Sequence, residues 1–294
     1  MIGAVTKAAG FRRSIVVALC AATAMSAAAA AKPLSGRAAP QGDRPTLADA
    51  QELFYNAHYE AAAAMTLALQ AADPDNLAND ELRTSALLFE LKALLEGTGE
   101  KDGAKEKAQA LSRCAACPDL VAAFVADTRR GQVLARAALG VNPNDETALF
   151  FLGKIDLNYV WLQLGPLGRR TGWDEYWEAR RSLDAVLKSS PRNVRALVAR
   201  AWIDYVVDTK MPWGTRWVLG GGSRKRGVAT VREAAGIPSE FFTHAEAEFA
   251  LWNMQVRERD FTPATEVARR LAHDFPDNRE VAAFLDAHDS SARR

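Results

Sequence analysis

The sequence predicts an all-α fold of repeated helix pairs, and two recurring features support that prediction. A helix-stopping motif, a proline followed within two residues by Asp or Asn, recurs at Pro74, Pro143, Pro191 and Pro276. A small residue stands twelve positions before each of these prolines, namely Ala62, Gly131, Ala179 and Ala264. A register that recurs in this way determines the fold class before any single element is considered.

Each predicted unit consists of a helix, a turn, a second helix and the proline motif. The small residue lets two helices approach closely, and the positions four and seven residues further on share its face of the helix. Proline then ends the helix because it has no N–H and clashes with the preceding turn. Asp or Asn after the proline can cap the next helix. We expect about five such pairs over residues 45–289, ending on a capping helix, Arg279–Asp289.

This register resembles the tetratricopeptide repeat. The small residues and the terminal proline match the second helix of that motif, Leu149, Leu152 and Gly153 match its first helix, and Tyr59 matches the aromatic residue of its turn. The resemblance implies a TPR-like α-solenoid that binds peptides or partner proteins. Successive stops from Pro143 to Pro238 are 48 and 47 residues apart, whereas the family's period is about 34. The units at about 144–238 therefore carry enlarged interhelix loops.

A second, shorter resemblance involves one of those loops. The run from Trp217 to Gly222, followed by a basic stretch, is similar to a glycine-rich turn in the TPR-like periplasmic subunit of tripartite transporters. This resemblance implies a role as a transport auxiliary.

The N-terminal residues predict export. Lys7, Arg12 and Arg13 precede a short apolar run at residues 15–25, and three alanines at positions 29–31 form a cleavage site. We therefore expect a signal peptide over residues 1–31, a flexible linker over residues 32–44 and a periplasmic mature protein. The alternative is a lipid anchor on Cys20.

Charge is distributed unevenly along a chain whose formal net charge is +1. Residues 160–235 contain fourteen Lys or Arg and seven Asp or Glu. This excess is typical either of a surface that attracts anionic ligands or membranes, or of ordinary solvated helix faces. No nucleic-acid recognition motif accompanies it, and no second apolar run predicts a membrane span in the mature chain.

Cys114 and Cys117 remain after cleavage of the signal peptide, and Pro118 follows them. In an oxidising compartment they can form a structural disulfide, although free thiols and redox activity are the alternatives. Because an apolar run at residues 94–111 precedes the pair, we expect it at the C-terminal end of a helix, where the helix dipole disfavours a thiolate.

Catalytic and metal-binding motifs are missing from the sequence. The four histidines are scattered, and no nucleophile elbow is present. We therefore predict a protein that is not an enzyme and has no cofactor and no metal.

The best candidate site lies in the two inserted units. All seven tryptophans fall between residues 161 and 252, and a glycine-rich loop at residues 220–227 carries three cations. The predicted site residues are Trp173, Trp177, Arg180, Trp213, Arg216, Trp217, Gly221 and Arg224. Such a cluster is typical of protein interfaces and of ligand pockets. The alternative is that the tryptophans only pack the enlarged loops against the helices. Likewise, the glycine loop is either an anion cradle or a tight turn with Ser223 as N-cap.

Two functions follow from these observations. The first is a non-enzymatic envelope scaffold that binds a peptide or partner protein, of unknown identity, in a helical-repeat groove. The alternative is a transport auxiliary that binds a small anionic molecule in a pocket lined by Trp and Arg.

Overall fold

The four proline motifs each end one helix and cap the next in the computed structural model, which describes residues 44–95 and 104–289. The helix before each motif ends two residues before the proline. An Asx side-chain oxygen then accepts a hydrogen bond of 2.9–3.1 Å from a backbone N–H of the following helix. These capping residues are Asn76, Asp145, Asn193 and Asn278. The sequence thus predicts these helix boundaries through ordinary capping chemistry.

Helices α1–α13 account for all the regular secondary structure of the described residues, which confirms the all-α fold. Their bounds, in chain order, are α1 Leu47–Tyr55, α2 Tyr59–Ala72, α3 Leu77–Leu94, α4 Ala104–Arg113, α5 Cys117–Val141, α6 Glu146–Leu164, α7 Trp173–Ser189, α8 Val194–Lys210, α9 Trp213–Arg216, α10 Arg224–Ala235, α11 Phe241–Arg257, α12 Phe261–Asp274 and α13 Arg279–Asp289. The predicted signal peptide, Cys20 and all of the predicted linker except Arg44 lie outside the described residues.

Neighbouring helices pack closely because the small residues of the register are buried between them. Ala62, Ala179 and Ala264 are fully buried. A Cβ added to Gly131 would lie only 2.6 Å from the Ile155 side chain, so this glycine allows α5 and α6 to approach. Longer-range packing joins α3 to α6, α6 to α8 and α8 to α11. These four helices therefore form one continuous series of contacts.

The first helix of the described region also meets α11 and the turn before α13. The Tyr55 ring of α1 lies parallel to that of Phe249 of α11, with 5.3 Å between centroids. The Asn278 side chain donates to the Tyr55 carbonyl at 2.8 Å, and the Asp277 N–H donates to Asn56 Oδ1 at 3.1 Å. The turn after α1 is therefore held by the turn before α13.

The cysteine pair lies at a different position from the one predicted. Cys114 and Cys117 form a disulfide between α4 and α5, with 5.4 Å between their Cα atoms. Cys117 is the first residue of α5 and is buried. Cys114 directly follows the end of α4, as expected for the pair, whereas Cys117 and Pro118 begin α5, because a proline in the first turn of a helix leaves no hydrogen bond unmade.

Candidate functional site

Two loops from the inserted units lie side by side. Residues 165–172 join α6 to α7, and residues 211–223, which include α9, join α8 to α10. Thr171 and Trp173 from the first region, and Met211 and Leu219 from the second, line one apolar cavity of about 20 Å³. A cavity of this size holds about one water molecule. The loops therefore pack together over the core and leave no ligand-sized space between them.

Arg180 of α7 fastens the glycine-rich turn. Its guanidinium donates to the carbonyls of Leu219 at 2.7 Å, Gly220 at 2.8 Å and Gly221 at 3.4 Å. The Tyr176 hydroxyl also donates to the Leu219 carbonyl, at 2.7 Å. Positive φ angles of 75° and 73° at the two glycines allow this turn, which other residues rarely adopt. The carbonyls of the turn are thus directed towards a cation.

Asp208 fastens the base of the same loop. One carboxylate oxygen accepts from Arg216 at 2.5 Å, and the other accepts from the backbone N–H of Arg224 at 2.8 Å. Ser223 caps α10 by accepting from the Arg226 N–H at 3.2 Å. Arg224 itself lies 3.3 Å from a carboxylate oxygen of Glu258. Asp208, close to the end of α8, therefore connects Arg216 in the loop to Arg224, the first residue of α10.

The apolar side chains that the two loops present to solvent are unusually exposed. Trp213 is 86% exposed, Trp217 77% and Val218 52%, and Trp173 at the start of α7 is 43% exposed. We call these four residues, together with the cations of residues 165–172 and 210–226, the basic–aromatic face. Monomeric proteins rarely expose several neighbouring large apolar side chains unless they form an interaction site.

The structure brings together only part of the predicted site. Arg180 meets Gly221, and Asp208 links Arg216 to Arg224. Trp177 is half-buried and packs edge-on against Tyr176, with 5.3 Å between centroids. Trp213 and Trp217 point into solvent and do not form an aromatic floor. Of the predicted arginines, Arg180 and Arg216 bind groups next to or within the loop itself and do not line a pocket.

Asp208 and Tyr176 are the site residues that the sequence reasoning missed. One signal was available for Asp208, since it is the last carboxylate before a stretch of 24 residues, 209–232, without Asp or Glu. A single acid at the edge of a cationic stretch can form ion pairs with the cations of that stretch. No sequence signal marked Tyr176.

A buried ion network lies away from this face. We call the four residues Glu81, Lys154, Arg195 and Glu246 the charge quartet; they come from α3, α6, α8 and α11. Lys154 Nζ lies 2.6 Å from Glu246 and 3.7 Å from Glu81, and Arg195 lies 2.6 Å and 2.8 Å from the same two carboxylates. Burial would raise the pKa of Glu246, but the two cations hold it at about 2.

A second buried acid lies between α5, α6 and α7. Burial raises the pKa of Asp156 to about 8, and its neighbour Glu178 adds to the shift. Gln132 donates to Asp156 Oδ1 at 2.7 Å, whereas Oδ2 is buried without a partner among the described residues. Burial would raise the pKa of Glu178, but the hydrogen bond from Arg136 outweighs that effect and lowers it. Asp156 therefore keeps its proton to a higher pH than an exposed carboxyl group does.

Within residues 44–95 and 104–289, no cluster of three or more His, Cys, Asp or Glu side chains is arranged to hold a metal ion. None of the helices in those ranges has both the length and the apolar character to cross a membrane.

No protein-family model matches the chain, and no curated protein shows significant similarity to it.

Proposed function

We propose that the protein is a non-enzymatic scaffold of the cell envelope, built as a TPR-like α-solenoid, that binds a partner protein through the basic–aromatic face. The observation that carries this proposal is the exposure of Trp213 and Trp217 on a loop whose backbone is fixed. Arg180 and Asp208 hold that loop in place. A rigid loop that presents tryptophans loses little entropy on binding, which favours affinity.

The helical-repeat groove that was expected has less support as the binding site. The charge quartet joins α3, α6, α8 and α11, and its side chains are largely buried. A peptide that entered between these helices would have to separate paired, desolvated charges, which costs several kcal/mol, roughly 3–5 for each broken pair. Docking on the basic–aromatic face requires no such separation of charges.

The small-molecule alternative is also less well supported. Ligand pockets generally enclose about 300–1,000 Å³, whereas the cavity beneath the two loops measures about 20 Å³. In addition, the guanidinium of Arg180 is already occupied by carbonyl oxygens. No feature of the described residues outweighs these two observations.

The Trp213→Ala/Trp217→Ala double variant is expected to capture its partner from an envelope extract about tenfold less well, or worse, because interface tryptophans supply much of the binding energy. The measurement is quantitative mass spectrometry of proteins retained by the immobilised chain. Leu67→Ala, on the exposed face of α2, is the matched control and should capture normally. Equal retention by the double variant and the wild type, at unchanged melting temperature, would refute the proposed function.

A further inference from the structure

We infer that the partner segment that docks on the basic–aromatic face is an acidic polypeptide that also carries apolar side chains. This inference rests on the proposed function, since it gives the chemistry of the partner at the same face. It combines two properties of that face: the exposed tryptophans and an excess of positive charge that the protein does not neutralise itself.

The excess of positive charge is visible first in the sequence of the loops. Residues 209–232 include six Lys or Arg residues and no Asp or Glu. The neighbouring loop, residues 165–172, contributes Arg169 and Arg170 and again no acid. The two loops line one cavity, so these two basic segments lie close to each other. Both halves of the face therefore favour an anionic partner.

Some of these cations are already neutralised within the protein. Arg216 pairs with Asp208 at 2.5 Å, and Arg226 pairs with Asp204 at 2.7 Å. By contrast, the exposed side chains of Arg169, Arg170 and Lys225 take part in no ion pair within the described part of the chain. Three solvated cations beside an aromatic cluster thus remain available to carboxylates of a partner.

A polypeptide fits this face better than an anionic lipid surface does. Polybasic segments that bind anionic lipids carry about four to eight Lys or Arg close together, and here most of the other arginines of the face are paired with carboxylates. Arg180 also holds the glycine-rich turn of the loop, and Asp208 binds Arg216 and Arg224. Fixed positions of tryptophans and cations provide specificity towards one sequence, which a fluid bilayer surface does not require.

The test measures binding of the full exported chain to three fluorescent peptides of equal length and to vesicles. One peptide is rich in Glu and Leu, one in Glu and Ser, and one in Lys and Leu, and the vesicles contain phosphatidylglycerol and phosphatidylethanolamine in equal parts. We expect the Glu/Leu peptide to bind most tightly and to weaken with added salt, because exposed charges are screened.

The decisive variant reverses the three free cations. Arg169→Glu/Arg170→Glu/Lys225→Glu should bind the Glu/Leu peptide about tenfold more weakly, or worse, because each attraction becomes a repulsion. The matched control reverses three exposed cations elsewhere, Lys105, Arg129 and Arg192, and should bind normally.

The outcomes separate this inference from the proposed function. If the charge-reversed protein still captures its envelope partner and binds the peptide normally, while Trp213→Ala/Trp217→Ala does not, the acidic partner is wrong and the protein-binding face stands. If the vesicles bind tightly and none of the peptides does, a lipid surface replaces the acidic polypeptide. If neither set of substitutions changes envelope capture, both the inference and the proposed function fail.

Discussion

Glu246→Gln is expected to lower the free energy of unfolding by about 3–5 kcal/mol, because it leaves a buried positive charge without its partner. Glu246 accepts from both Lys154 and Arg195 at 2.6 Å, and Glu81 supplies the only other acid of the charge quartet. With one acid removed, two buried cations share a single carboxylate. The quartet joins four helices, so the loss should affect the whole described structure.

Urea denaturation followed by far-ultraviolet circular dichroism measures this effect. Glu266→Gln, an exposed acid on α12, is the matched control and should change stability by less than about 0.5 kcal/mol. A Glu246→Gln protein as stable as the control would show that the quartet is not formed in solution.

Asp156→Asn is expected to become more stable relative to the wild type as the pH rises, by about 4 kcal/mol between about pH 5 and about pH 8. In the unfolded chain Asp156 loses its proton near its ordinary pKa of 3.8, whereas the folded protein keeps the proton up to about pH 8. Over that range the folded state binds one proton more than the unfolded state, so stability falls as the pH rises. Asparagine does not titrate, so the stability of the variant lacks this dependence on pH.

Denaturation midpoints measured from about pH 5 to about pH 9 give both pH profiles. Asp75→Asn, an exposed acid in the turn after α2, is the control and should follow the wild-type profile. Parallel profiles for Asp156→Asn and the wild type would mean that Asp156 is ionised in the folded protein and that burial does not raise its pKa to about 8.

Helix boundaries were the most predictable part of this structure. Proline stops and Asx caps act locally, so Asn76, Asp145, Asn193 and Asn278 could be assigned from the sequence alone. The α4–α5 connection was not predictable, because a proline serves equally well after a helix and in its first turn.

The site was predictable only in part, because composition locates a region and not its contacts. The clustered tryptophans and the long spacings directed attention to the region in which Trp173 and Leu219 line one cavity. The charge quartet joins Glu81 to Glu246 through residues far apart in the sequence, and helical periodicity contains no information about such pairs. The role of Arg180 depends on carbonyl directions set by two left-handed glycines.

The central claim is that a partner protein docks on the basic–aromatic face. Site-specific photo-crosslinking in an envelope preparation tests this claim most directly, with a benzophenone amino acid introduced in place of Trp213 or, as the control, Val141. Val141 is 89% exposed at the end of α5, so both probes are accessible to solvent. We predict one distinct crosslinked product at position 213 that excess unlabelled protein competes away, and no such product at position 141. Identical products at the two positions, or no product at position 213, would contradict the claim.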